Sequence, residues 1–118
     1  PVIDLMEEQK AVSRMGGTMR LGAYPAEIMP GTNAFDAYRE KVIAERHRHR
    51  YEFNNEYLNA FVQNGMVASR LNPDSQLVEI MEIPEHKWFV AVQFHPELKS
   101  RPNRPHPIFA SYIRAALG

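Results

Sequence analysis

His95 and Glu97 stand two positions apart in the string Gln93-Phe94-His95-Pro96-Glu97, which directly follows the apolar run Phe89-Val90-Ala91-Val92. In an extended chain, residues i and i+2 point the same way. The imidazole and the carboxylate can therefore become neighbours where a strand leaves its sheet. A histidine base with an orienting carboxylate is two thirds of a nucleophilic triad, and the missing member is a Ser or a Cys. A His at a strand end is also an ordinary half-buried polar residue. The His-Pro-Glu tripeptide alone is thus a weak sign, and the full five-residue string on a buried strand is a better one.

A second stretch with chemical character is Glu45-Arg46-His47-Arg48-His49-Arg50-Tyr51-Glu52-Phe53. Read as a strand, it sets Arg46, Arg48 and Arg50 on one face and His47, His49 and Tyr51 on the other. A surface strand without a role is the plainest interpretation. A metal site at His47 and His49 lacks a third ligand, and the arginines repel a cation. A phosphate-binding strip of three arginines sits poorly with zero net charge. Planar guanidinium groups can also hold a substrate carboxylate in a two-point fork. A third stretch, Gly16-Gly17-Thr18-Met19-Arg20-Leu21-Gly22, reads as a turn into a short strand, with glycines that allow close approach of a ligand.

The elements that position these groups follow from the pattern. The strand running from Trp88 to Phe94 reads as buried on both faces. Leu77 to Ile83 alternates apolar residues with Glu79 and Glu82, and pairs with it as a hairpin through Glu85-His86-Lys87. Thr32 or Asn33 caps a short helix containing Phe35, Ala37 and Tyr38. Asn54 and Asn55 are cap candidates for a helix that faces Leu58, Phe61 and Val62 inward and ends at Gly65. Met66 to Ser69 suggests a short strand, and Asn72-Pro73-Asp74 a turn. The Pro-rich run from Arg101 to Pro107 makes a surface loop. Pro107 then opens a last helix with the apolar stripe Ile108, Phe109, Tyr112, Ile113, Ala116 and Leu117. Glu7 to Gly31 reads as a long surface segment with short strands.

The 118 residues suit one small domain, and 14 basic against 14 acidic side chains give zero net charge. That balance offers no general attraction to nucleic acid. No apolar span is long enough for a transmembrane helix. There is no cysteine, which excludes disulfides, thiolate metal sites and a Cys nucleophile within these residues.

The string Gln93 to Glu97 resembles the His-and-Glu end of class I glutamine amidotransferases. The ordered set Gly16 to Gly22, Glu45 to Asn55, Leu77 to Ile80, Trp88 to Ala91 and Gln93 to Glu97 is similar, more specifically, to the C-terminal part of the glutaminase domain of the CTP synthase family. The resemblance runs from Val2 through nearly the whole chain. It implies an α/β fold, a partial class I glutamine amidotransferase domain with a mixed central sheet and flanking helices, over residues 1–118. His95 then corresponds to the triad base and Glu97 to the carboxylate that orients it. Arg50 corresponds to the residue that holds the glutamine α-carboxylate. Thr18 and Arg20 match positions linked to activation by GTP. Arg46 and Arg48 have no assigned role beyond bracing the strand through Glu45 and Glu52.

By the same resemblance the nucleophilic Cys, a further glutamine-binding Glu and the synthase domain that binds UTP, ATP and Mg²⁺ lie upstream of Pro1. The chain is then expected to be a fragment, inactive alone, with no cofactor of its own. The intact enzyme is expected to be a cytoplasmic homo-oligomer, a tetramer, with neither membrane nor nucleic acid as partner. Such a piece should expose apolar surface and sheet edges. Three other readings are an amidotransferase-like binding module that keeps His95 and Glu97 only for structure, a protein that binds nucleic acid or metal through its Arg/His strand, and a different class I glutamine amidotransferase.

Overall fold

The computed structural model describes residues 1–5, 20–49, 51–73 and 75–118. Seven strands are described: β1 (Ile3–Leu5), β2 (Arg20–Ile28), β3 (Val42–His49), β4 (Tyr51–Phe53), β5 (Val67–Leu71), β6 (Val78–Glu82) and β7 (Val90–Val92). Three helices join them: α1 (Asn33–Tyr38), α2 (Leu58–Gln63) and α3 (Pro107–Leu117). β1 and β4 form a small ribbon, and the other five strands form a sheet in the order β3-β2-β5-β6-β7. Every described pairing is antiparallel.

Local chemistry accounts for most boundaries. Thr32 Oγ1 accepts the Phe35 N–H at 3.2 Å and donates to the Met29 carbonyl at 2.7 Å, capping α1 from within the turn. Asn54 Oδ1 accepts the Glu56 N–H and opens a short 3₁₀ turn that runs into α2. Gly65, at φ +98°, lets the chain reverse after that helix. Pro107 occupies the first turn of α3, as its fixed φ favours.

Several expectations change. The segment before Gly31 contains a nine-residue strand, β2, inside the sheet order rather than a string of short surface strands. The Glu45 to Phe53 run is divided: β3 ends at His49, and Tyr51–Phe53 pairs with β1 in the other sheet. β7 is short and half-exposed at the end of the sheet order, and the strand buried throughout is its neighbour β6. Val62 points outward, and of the α3 stripe only Ile108 is buried, with Leu117 85 % exposed.

The hairpin from β6 to β7 forms as expected, with Ile80 opposite Val92 and Glu82 opposite Val90. Two apolar clusters hold the sheet. Ile28, Ala34, Ile43, Ile80 and Phe94 form one. Phe53, Val78 and Met81 form the other, with Leu58 and Phe61 against it. β2 pairs with β3 along eight residues but with β5 only at Glu27 and Ile28. Most of the β2–β3 pairing therefore lies beyond the short stretch that β2 shares with β5. The chain leaving β7, at the opposite end of the order, nevertheless meets β3: the His95 N–H donates to the Arg46 carbonyl at 2.9 Å.

Candidate functional site

Phe94 is the anchor of the site. Its side chain is buried in the first cluster, 5.0 Å beneath the Arg70 guanidinium and beside the His47 and His106 rings. Backbone alternation then turns His95 outward. Pro96 opens a 3₁₀ turn, Pro96–Lys99, which folds Glu97 back toward the imidazole. His95 Nδ1 lies 2.7 Å from Glu97 Oε1, with the two side chains 38 % and 57 % exposed. An ionised carboxylate only accepts, so this bond places the ring proton on Nδ1 and leaves the Nε2 lone pair open. Glu97's own backbone N–H, and then the His95 hydrogen bond, hold its carboxyl below the ordinary carboxylate value. The pair can thus accept a proton at Nε2 and stabilise the resulting imidazolium from the other side.

The remaining expected site residues are less accessible. Arg50 and Thr18 lie outside the described residues, and of Arg20 only the backbone is described, pairing with His49 at the start of β2. Arg46 is exposed on β3, while His47 and Glu45 face inward, as the alternation requires. His47 Nε2 lies 3.3 Å from Glu79 Oε2 in the interior, so this histidine is committed to a buried carboxylate. Among the described residues no group of three or more His, Cys, Asp or Glu could hold a metal ion.

The described partners of Glu45 are His106 and Lys99. It is buried, accepts His106 Nε2 at 2.9 Å on one oxygen and lies 3.2 Å from Lys99 Nζ on the other. His106 Nδ1 accepts the Ile108 N–H at 3.1 Å, capping α3, which puts the ring proton on Nε2 facing Glu45. Burial acts to raise the Glu45 carboxyl, but the His106 bond and charge, and then Lys99, outweigh it and hold it below its ordinary value. Tyr38 sits 3.3 Å from His106 Nε2, and burial together with the Glu45 charge pushes its phenol up, so it stays protonated. Beside this cluster opens a cleft of about 640 Å³ bordered by Glu40, Arg46, Lys99, Arg101 and Arg104. The sequence reasoning passed over Lys99 and His106. The available signal for His106 was its place between Pro105 and Pro107 at a helix start, where a side-chain acceptor is wanted.

A sheet with flanking helices and a His–Glu pair at the turn after a strand define an α/β domain of amidotransferase type. The family model described as Glutamine amidotransferase class-I matches residues 2–115, and the chain belongs to that family. It is 61 % identical over 117 residues to the CTP synthase of Clostridium kluyveri, covering 99 % of this chain and 22 % of that protein. It is 61 % identical over 116 residues to the CTP synthase of Carboxydothermus hydrogenoformans, again over 22 % of that protein. The chain thus spans about a fifth of the length of these relatives, 22 % in each case. Among solved structures it is similar to the Trypanosoma brucei CTPS glutaminase domain with bound acivicin, with a TM-score of 0.86 and 34 % identity over 98 % of this chain and 46 % of that one.

Proposed function

We propose that this chain carries the general-base half of a glutaminase site that supplies ammonia for CTP synthesis. The observation that supports the reading best is the 2.7 Å His95–Glu97 bond on a turn fixed by buried Phe94, in a chain so similar to CTP synthases. His95 Nε2 takes the proton of a cysteine thiol, and the thiolate attacks the carboxamide of glutamine. Glu97 keeps the imidazole in the right tautomer and offsets its charge. His95 then returns the proton to the leaving ammonia, and water cleaves the thioester. Backbone N–H groups around the carbonyl stabilise the oxyanion. This chain has no Cys. On this reading the nucleophile and its oxyanion donors would come from residues outside this sequence, and the 118 residues alone would give no useful turnover.

Arg50 would hold the glutamine α-carboxylate, and Thr18 with Arg20 would respond to GTP. Ammonia would pass to a synthase domain where UTP, activated by ATP with Mg²⁺, becomes CTP. The full-length enzyme would work in the cytoplasm as a homo-oligomer.

The test is CTP formation from UTP and ATP by the full-length product of the gene, with glutamine or with ammonia as nitrogen source. His95→Ala is expected to abolish the glutamine reaction and leave the ammonia reaction intact. A wild type that forms CTP from neither source would overturn the assignment.

A further inference from the structure

The turn that carries His95 and Glu97 is tied to β3 by three hydrogen bonds. The His95 N–H donates to the Arg46 carbonyl at 2.9 Å, and Lys99 Nζ donates to the Ala44 carbonyl at 2.7 Å and to Glu45 Oε1 at 3.2 Å. Glu45 is 1 % exposed, and its other oxygen is held by His106, which is itself the cap of α3. Lys99 is the one exposed member of the cluster, with its side chain 45 % accessible. It reaches inward to an ionised carboxylate and to a carbonyl of the same strand. A surface lysine with two such acceptors is held by geometry more than by solvent.

We infer that Glu45, Lys99 and His106 form a positioning cluster that sets the His95–Glu97 turn against β3. Resting on the glutaminase reading, this deepens it. Arg50 follows β3 directly in the sequence, so a cluster that ties the His95–Glu97 turn to β3 sets the base relative to the strand that precedes the residue proposed to hold the glutamine carboxylate. Lys99 and Glu45 hydrogen-bond to β3, to each other and to His106, and on this reading they act through the placing of His95. A displacement of the base by about 1 Å can cost on the order of 10²-fold in rate, so a bond from Lys99, four residues beyond His95, has leverage. Glutamine binding through a guanidinium is less sensitive than proton transfer, since a flexible side chain follows a small shift. The effect therefore falls on kcat rather than on KM.

The experiment uses the full-length gene product with Lys99→Met, which keeps the aliphatic stem and removes the donors, and Lys99→Arg, which restores them. Lys87→Met, on the exposed hairpin turn, is the control. The expected result for Lys99→Met is a glutamine-dependent kcat lowered about 10- to 100-fold. KM for glutamine should stay within about threefold and the ammonia-dependent rate should be unchanged, because the base and not the binding contacts has moved. Lys99→Arg recovers most of the loss, and amide exchange across residues 95–100 quickens in Lys99→Met but not in Lys87→Met. A wild-type kcat in Lys99→Met, or equal losses with glutamine and ammonia, would overturn the inference. If the wild type releases no glutamate from glutamine, the glutaminase reading fails. The exchange measurement then decides by itself, and unchanged exchange in Lys99→Met removes the anchoring as well.

Discussion

At the scale of single residues, chemistry rests on which proton sits where. The His95–Glu97 pair is largely in solvent, so its worth lies in orientation rather than in stability. Glu97's carboxyl is held below its ordinary value of 4.5, first by its own backbone N–H and then by His95. The folded-state value is depressed, so the pairing is fully present above about pH 4.5 and is lost as pH falls through the lower folded value. A carboxyl-detected NMR titration should place the Glu97 midpoint below 4.5, and His95→Ala should raise it only part of the way, since the backbone N–H remains. An unmoved midpoint in His95→Ala would show that the imidazole does not hold the carboxylate. Replacing Glu97 by Ala should lower the glutamine reaction less than removal of the nucleophile does, because an orienting group is the more replaceable member of such a set.

At the scale of elements, the acidic residues of β6 have a use that their spacing did not announce. Glu79 and Glu82 look like the polar half of an alternating strand, yet both are buried. Glu82 reaches the start of α1 and accepts the N–H groups of Asn33 at 2.8 Å and Ala34 at 3.0 Å. Two of the donors that a helix leaves unpaired at its start are satisfied by a strand 48 and 49 residues away. Glu82→Ala removes the acceptor of both, of which the Ala34 N–H is buried and the Asn33 N–H partly so, and costs about 1–3 kcal/mol. Amide exchange at Asn33 and Ala34 should then accelerate about tenfold or more, with Glu82→Gln intermediate. Equal protection in wild type and Glu82→Ala would mean that Thr32 alone caps the helix. A register shift in the pairing with β6 falls between Ala68 and Arg70, where both Ser69 and Arg70 are buried, and Arg70 lies over Phe94. No period of the sequence marks that inversion.

At the scale of the whole molecule, several large apolar side chains stay exposed. Among the described residues, Ile3, Val42, Phe89, Tyr112, Ile113 and Leu117 are all exposed, and β3 and β7 end the sheet order. With zero net charge, little repulsion opposes contact between copies. The isolated 118-residue chain is therefore expected to self-associate at micromolar concentration and to bind an apolar dye. Light scattering that gives a monomer, together with a cooperative melt and no dye binding, would contradict this. None of the helices is long and apolar enough to cross a membrane among the described residues, so the exposed stripe of α3 is not a span.

Much was legible without coordinates. The cap at Thr32, the start signals at Asn54 and Pro107, the reversal at Gly65 and the hairpin from β6 to β7 each depend on atoms within a few residues of one another. The string around His95 and Glu97 is equally local, which is why its geometry and its family could be read directly. What the tertiary structure decided was which polar groups go inside and which elements meet. Glu45 was read as a neighbour of arginines, yet its partner His106 lies 61 residues away and its strand is held by Lys99 from 55 residues away. Such bonds join β3 to the chain leaving β7, although the two strands stand at opposite ends of the sheet order. A strand's period reports which residues share a face, but not which distant element will cover it. The pairing of base and carboxylate is therefore a property of five consecutive residues, whereas the placing of that pair against β3 belongs to the folded sheet.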